Sequence, residues 1–187
     1  MTRLRAPSLR FGQQGVSLLE VLITMLILSF GLLGLAGLQA RAMTAEMESY
    51  QRGQAIVMLQ DMVDRMSSNS GNAASYETGA TPMGTGATDA ADCTTLGTRA
   101  AKDLCEWSKA IKGSSENKSG SKVGAMIDGR GCVEAGGVSN VFVISVVWKG
   151  KTATVAPSST CGQGDYGDDT TRRIVTTTLT IPNLSAN

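Results

Sequence analysis

Histidine is absent from this 187-residue chain. That removes Ser-His-Asp and Cys-His catalysis, imidazole metal ligation and histidine-based pH switching from the possible functions. Aromatic residues amount to only 4%, so any core has to be built mainly from Val, Ile, Leu, Ala and Met. A cationic excess is missing as well. Seventeen basic residues face sixteen acidic ones, and no nucleic-acid partner is expected from such a balance, because phosphate contacts need a clear positive surplus. The sequence contains no Walker motif and no dinucleotide fingerprint, and no cofactor is expected. Proline is missing between Pro7 and Pro82, which leaves room for one long helix.

What is present is concentrated at the N-terminus. Residues 1–15 carry Arg3, Arg5 and Arg10, no acid, and end on Gly15. From Val16 to Leu38 the only charge is Glu20. As a helix these residues extend roughly 35 Å, enough to cross a hydrocarbon core of about 30 Å. The basic flank places the preceding residues on the cytoplasmic side and the rest of the chain beyond the inner membrane. A secretory signal peptide shares the basic start, and Ala40-Arg41-Ala42 offers a small-x-small site, but its apolar region normally spans only about 7–15 residues. A plain membrane anchor accounts for the length and the flanks but not for Glu20, since an intramembrane carboxylate is costly.

Gly15 followed by Val16-Ser17-Leu18-Leu19-Glu20-Val21-Leu22 resembles the class III signal of type IV pilins and pseudopilins. The resemblance implies that a prepilin peptidase cuts between Gly15 and Val16 and methylates the new amino group of Val16. It also implies that Glu20 is the registration residue of assembly, and that the usual first residue, Phe, is replaced here by Val16. Two further stretches, Gly31 to Gln39 and Asp61 to Asn69, resemble the minor pilins of the type IV pilus modification protein (PilV) family. Physical chemistry gives Glu20 a compatible task. Cleavage frees an ammonium at Val16, and in a low-dielectric filament core a carboxylate and a neighbour's ammonium attract far more strongly than in water. An unpaired Glu20 there is expensive, which penalises misregistered subunits. Gly31, Gly34 and Gly37 weaken a helix interior by up to about 1 kcal/mol each relative to Ala, which suits either local loosening on assembly or close helix packing.

Beyond Leu38, Ala55, Ile56, Leu59, Met62, Val63 and Met66 fall at helical spacing as one apolar stripe. Ser67 to Gly71 supply stop signals, with Gly71 a candidate left-handed C-terminal residue. Residues 67–92, rich in Ser, Gly, Ala, Thr and Asn, read as a long, partly mobile connection. Residues 99–112 suit a short helix carrying Leu104, Trp107 and Ile111. Val141 to Trp148 is the clearest strand, Lys149-Gly150-Lys151 a turn, Thr152 to Ala156 a possible hairpin partner, and Arg172 to Ile181 a second strong strand. In that strand Val175, Leu179 and Ile181 share one face and Thr176, Thr178 and Thr180 the other, as in a sheet with one covered face. The four cysteines, Cys93, Cys105, Cys132 and Cys161, read as two disulfides in an oxidising compartment, with three possible connectivities, of which Cys93–Cys105 and Cys132–Cys161 is favoured. No metal is expected from them, since they form no C-x2-C pair. Asp165-Tyr166-Gly167-Asp168-Asp169 reads as a solvated turn, with calcium the alternative. The seven basic residues against four acidic ones from Arg99 to Arg130 read as a solvated face.

The expected fold is α+β: a long N-terminal helix, transmembrane in its first half, packed on a small antiparallel sheet and stapled by disulfides, as in pilins. The expected organisation is a leader over 1–15, a transmembrane and filament-core helix over 16–38, its amphipathic continuation over 39–69, and a periplasmic head over 70–187. The resemblance implies a non-enzymatic minor pilin acting in assembly or initiation of the type IV pilus. Its implied partners are other minor pilins, the major pilin, the prepilin peptidase, inner-membrane lipid and the pilus assembly platform. It would reside in the bacterial inner membrane and then in the filament. A minor pseudopilin of a type II secretion system shares the same N-terminal chemistry, and a membrane-anchored periplasmic enzyme with a Ser–Lys dyad is the reading from another class.

Overall fold

The computed structural model describes residues 15–79, 81–113 and 126–182, with the backbone of 117–118 and 121–122. The leader up to residue 14 and Lys118 and Lys122 of the basic stretch lie outside the described side chains. One helix, α1 (Leu18–Ser68), opens the fold. The chain divides into two compact units at Met43/Thr44. The helix residues after the division group with the sheet, because their buried stripe packs there.

The second unit is α+β. It holds β1 (Met83–Gly84), α2 (Arg99–Ile111), the short pair β2 (Asn117–Lys118) and β3 (Ser121–Lys122), then β4 (Arg130–Ala135), β5 (Val141–Lys149) and β6 (Arg172–Thr180). The main sheet is antiparallel, in the order β1-β4-β5-β6. Alternation in β5 sends Phe142, Ile144, Val146 and Trp148 into one core with Ala55, Leu59, Met62 and Met66 of α1 and Trp107 and Ile111 of α2. Val147 on the opposite face packs with Cys132, Cys161, Tyr166 and Ile174. The expected single covered face is therefore covered on its second side too, near the end of β5.

That second cover corrects the expected hairpin. Thr152 to Ala156 form no strand; β5 pairs instead with β4 and β6, over Arg130–Ala135 and Arg172–Thr180. The intervening loop folds over the sheet, where the fully buried Arg172 organises it. Its guanidinium donates to the carbonyls of Pro157 (3.0 Å), Ser159 (2.9 Å) and Cys161 (2.9 Å) and to both oxygens of Asp169 (2.8 and 2.7 Å). A turn built on side chain to backbone bonds of this kind has no periodicity to betray it.

The stripe on α1 is corrected in two places. Ile56 is exposed, whereas Gln51 is buried and accepts the Ile127 backbone N–H at 3.0 Å. The connection after α1 is also better ordered than its composition suggests. Ser70–Tyr76 forms a 3-10 turn in which Tyr76 is fully buried, its hydroxyl donating to Asp103. Gly71 sits within this turn without a positive φ, so it is not a left-handed cap. Arg65, off the apolar stripe, bridges to Asp61, Asp103 and Glu106 and ties the end of α1 to α2.

α2 begins where the Thr98 hydroxyl accepts the Ala101 N–H at 3.2 Å, an N-cap. The outer edge of its Trp107 ring abuts Gly131, where an added Cβ would come within 2.2 Å of the ring, and the indole N–H donates to the Met58 carbonyl at 2.8 Å. Glycine at 131 is thus required by close approach rather than by backbone angle. The disulfides join Cys93 to Cys105 and Cys132 to Cys161, the favoured pairing. The first holds the segment before α2 to the helix; the second holds the covering loop to β4.

Candidate functional site

Of the first unit's described residues, 18–43 belong to α1; the candidate residues Gly15 and Val16 immediately precede the helix and Glu20 lies in its first turn. Helix formation follows from a run rich in Leu, Met and Ala, none of them branched at Cβ, with no proline. Every large apolar side chain of residues 16–38 is solvent-exposed, Val16 at 72% and Leu33 at 69% among them. The exposed surface runs all round the helix, the pattern of a helix that is buried by something other than its own chain. By length and composition the helix can cross a membrane.

Its polar groups fit an apolar surrounding. The Thr24 hydroxyl donates to the Val21 carbonyl at 2.8 Å and the Ser29 hydroxyl to the Met25 carbonyl at 2.7 Å. Neither hydroxyl proton therefore needs a partner outside the helix. Glu20 differs. It sits in the first turn, where the partial positive charge of the helix N-terminus favours a carboxylate. The Ser17 backbone carbonyl accepts the N–H groups of Glu20 (2.9 Å) and Val21 (3.3 Å), and in the sequence Ser17 and Glu20 have the Ser-x-x-Glu spacing of a capping box. Among the described residues Glu20 forms no salt bridge.

Gly15 has open space where a Cβ would stand, and so do Gly31, Gly34 and Gly37. Nothing among the described residues therefore requires glycine at these three helical positions. The four cysteines belong to the second unit and are fully engaged in disulfides. The carboxylates of the loop at 165–169 have protein partners: Asp165 lies 3.4 Å from Arg130, Asp168 accepts the Thr170 N–H, and Asp169 pairs with Arg172. No group of three or more metal-ligating side chains occurs among the described residues.

Sequence reasoning passed over Gln51, Tyr76, Asp103 and Arg172, the buried polar residues that hold the second unit together. Gln51 was legible, since it stands four residues before Ala55 on the same stripe. The others are fixed by contacts that sequence periodicity does not report.

Comparison with known families adds two adjoining matches. Residues 10–36 match the prokaryotic N-terminal methylation motif, and residues 37–110 match the family described as type IV pilin Tt1218. The first match spans Gly15, Val16 and Glu20; the second spans the amphipathic part of α1, the 3-10 turn and most of α2. No curated protein and no solved structure matches the chain.

Proposed function

We infer that the chain, whose residues 10–36 match an N-terminal methylation motif and 37–110 the type IV pilin family, is a minor pilin, a structural subunit that enters a pilus or its initiating complex. The observation that carries this reading is the first unit: an all-round apolar helix whose sole charge between Val16 and Leu38 is Glu20, set five residues after Gly15. The leader leaves at Gly15–Val16, the amine of Val16 is methylated, and the subunit waits in the inner membrane with its head in the periplasm. The mature chain then has 14 basic and 16 acidic residues, a formal charge of −2, because Arg3, Arg5 and Arg10 depart. On entry to the filament, Glu20 meets the ammonium of a neighbouring subunit. A buried ion pair broken on one side typically costs about 3–5 kcal/mol, which is the selection for register.

The competing role for Glu20 is local, as the second half of the capping box with Ser17. Glu20→Gln separates the two, because glutamine also serves at that cap position but carries no charge. The expectation is a processed, membrane-resident Glu20→Gln protein that is lost from sheared filaments at equal total protein, as with Glu20→Leu. Wild-type incorporation of Glu20→Gln would leave Glu20 a cap and the registration role wrong. Intact mass showing an N-terminus at Met1 or after Ala42 would overturn the processing itself. Recovery with secretion-system pseudopilins instead of pilus subunits would transfer the same chemistry to that machine.

A further inference from the structure

The second unit begins at Thr44. At the end where the chain enters it, Arg173 approaches Glu48 (3.8 Å), the Thr152 hydroxyl reaches Glu48 (3.5 Å), and Gln51 holds the backbone of Ile127, whose carbonyl in turn accepts the Lys149 N–H (2.8 Å). The turn after β5 and the loop that follows it are thereby fixed beside residues 48–52. The Thr154 N–H donates to the Thr170 carbonyl at 2.8 Å, and Arg173 donates to the Thr152 carbonyl at 2.6 Å, so the loop is held at its base.

This end is cationic and apolar together. Arg52, Lys149 and Lys151 are exposed and, among the described residues, belong to no salt bridge. Of the two nearby carboxylates of α1, Glu48 is committed to Arg173 and Glu46 is exposed. Interleaved with the cations are Val155, 90% exposed, and Ile127, 51% exposed. An exposed valine on a tethered loop beside two lysines contributes nothing to the fold, and lysine next to exposed apolar side chains is the composition of a bilayer interface contact.

We propose that the entry end of this unit, formed by Arg52, the Lys149–Lys151 turn and the Val155 loop, rests on anionic phospholipid headgroups while the subunit is held in the membrane. The proposal rests on the reading of residues 16–38 as a membrane span. Nine residues lie between Leu38 and Glu48, a rise of about 15 Å if helical, and the polar layer of a bilayer extends roughly 5–7 Å beyond its hydrocarbon. The gap that remains is about one Debye length at physiological salt, short enough for flexible cationic side chains to cross. Anionic headgroups attract juxtamembrane Lys and Arg across such a gap, and each cation adds to the attraction. Headgroup contact would hold the head down before assembly and release it on extraction.

The test uses the full chain reconstituted into vesicles of phosphatidylcholine alone or with one third phosphatidylglycerol. Hydrogen–deuterium exchange is read in peptides covering residues 150–156. The expected result is exchange several-fold slower with phosphatidylglycerol at low salt, restored by high salt, and restored by the combined variant Arg52→Gln, Lys149→Gln, Lys151→Gln. Amides of Ile144 to Val147 serve as the folding control and should stay equally protected in all samples. Equal exchange in the two membranes overturns the proposal, as does protection that survives the triple substitution, or protection given by added duplex DNA and not by phosphatidylglycerol. Intact mass of the same sample reads processing at Gly15–Val16 independently, so a failure of the pilin reading is distinguishable from a failure of the lipid contact.

Discussion

The two units of this chain bury their apolar residues on opposite terms. In the unit ending at Met43, leucines of α1 stand exposed on every side; in the unit beginning at Thr44, Trp107, Met62, Ile144 and Val146 are fully buried. Both stretches are rich in aliphatic residues, yet only the second is complementary to itself. The first leaves its apolar surface uncovered by the described residues of its own chain. The contrast explains why its glycines meet nothing within 4 Å, whereas Gly131 is pressed against Trp107. Substitutions in the first unit should therefore read out in assembly, and substitutions in the second in folding.

The sharpest way to break this comparison is a matched pair of truncations followed by unfolding of the full chain in detergent. Trp107→Ala removes a fully buried ring, its bond to Met58 and its contact with Gly131. It should cost about 3–5 kcal/mol. Leu28→Ala removes a side chain 64% exposed and should leave the unfolding of the second unit within about 0.5 kcal/mol. Comparable losses from both would mean that the first helix segment is part of the folding core after all.

Next in size is the Cys132–Cys161 bridge, which spans 29 residues. Closing a loop of that length restricts the unfolded chain by roughly 3–4 kcal/mol. Cys132→Ser, combined with Cys161→Ser so that no thiol is left, should lower stability by about that amount. It should also release the covering loop from Val147 and Tyr166, seen as faster exchange of residues 159–168. If stability fell while the loop stayed protected, Arg172 alone would be the organiser of this face.

How far the chain could be read beforehand follows the same division. The helix of the first unit was legible, because an unbroken apolar run without proline is a local signal. β5 and β6 were legible through their alternation, as was α2 through Leu104, Trp107 and Ile111. β4 was not: Arg-Gly-Cys-Val-Glu-Ala has little strand preference of its own, and it becomes a strand by lying between β1 and β5. The hairpin expected at Lys149-Gly150-Lys151 failed for a related reason. The turn signal is there, but Arg172 and the disulfide draw the following residues across the sheet instead of along it. Tyr76 was hidden in a polar, glycine-containing run because its partner, Asp103, lies 27 residues away. Local chemistry announces elements; buried polar partners, which fix how the elements join, leave no mark until both are in place.

The smallest effect expected is an acid-dependent loosening confined to the second unit. The Asp169 carboxylate accepts two hydrogen bonds from the Arg172 guanidinium, and this pairing holds its pKa below the ordinary range. A carboxyl whose pKa is lower folded than unfolded contributes stability that is complete above the unfolded value, near 3.9 for Asp, and is lost as pH falls through the folded value. Above about pH 5 the contribution should therefore be constant, and below about pH 4 it should decline. Asp92 and Asp168, held below their ordinary range by the hydroxyls and backbone N–H groups of Thr94 and Thr170, titrate in the same direction, so acid unfolding alone does not isolate the clamp. Asp169→Asn does. It keeps an acceptor beside Arg172 and removes the titration, so exchange in residues 157–163 should be faster than wild type at about pH 6 and no longer accelerate relative to wild type below about pH 4. Arg172 retains its three carbonyl acceptors in that variant, which is why the loop should loosen without leaving the sheet. If the loop of the Asp169→Asn protein kept the full wild-type acid response, the response would have to come from Asp92 or from the other carboxylates of the head, and Arg172 would be held by the backbone carbonyls alone.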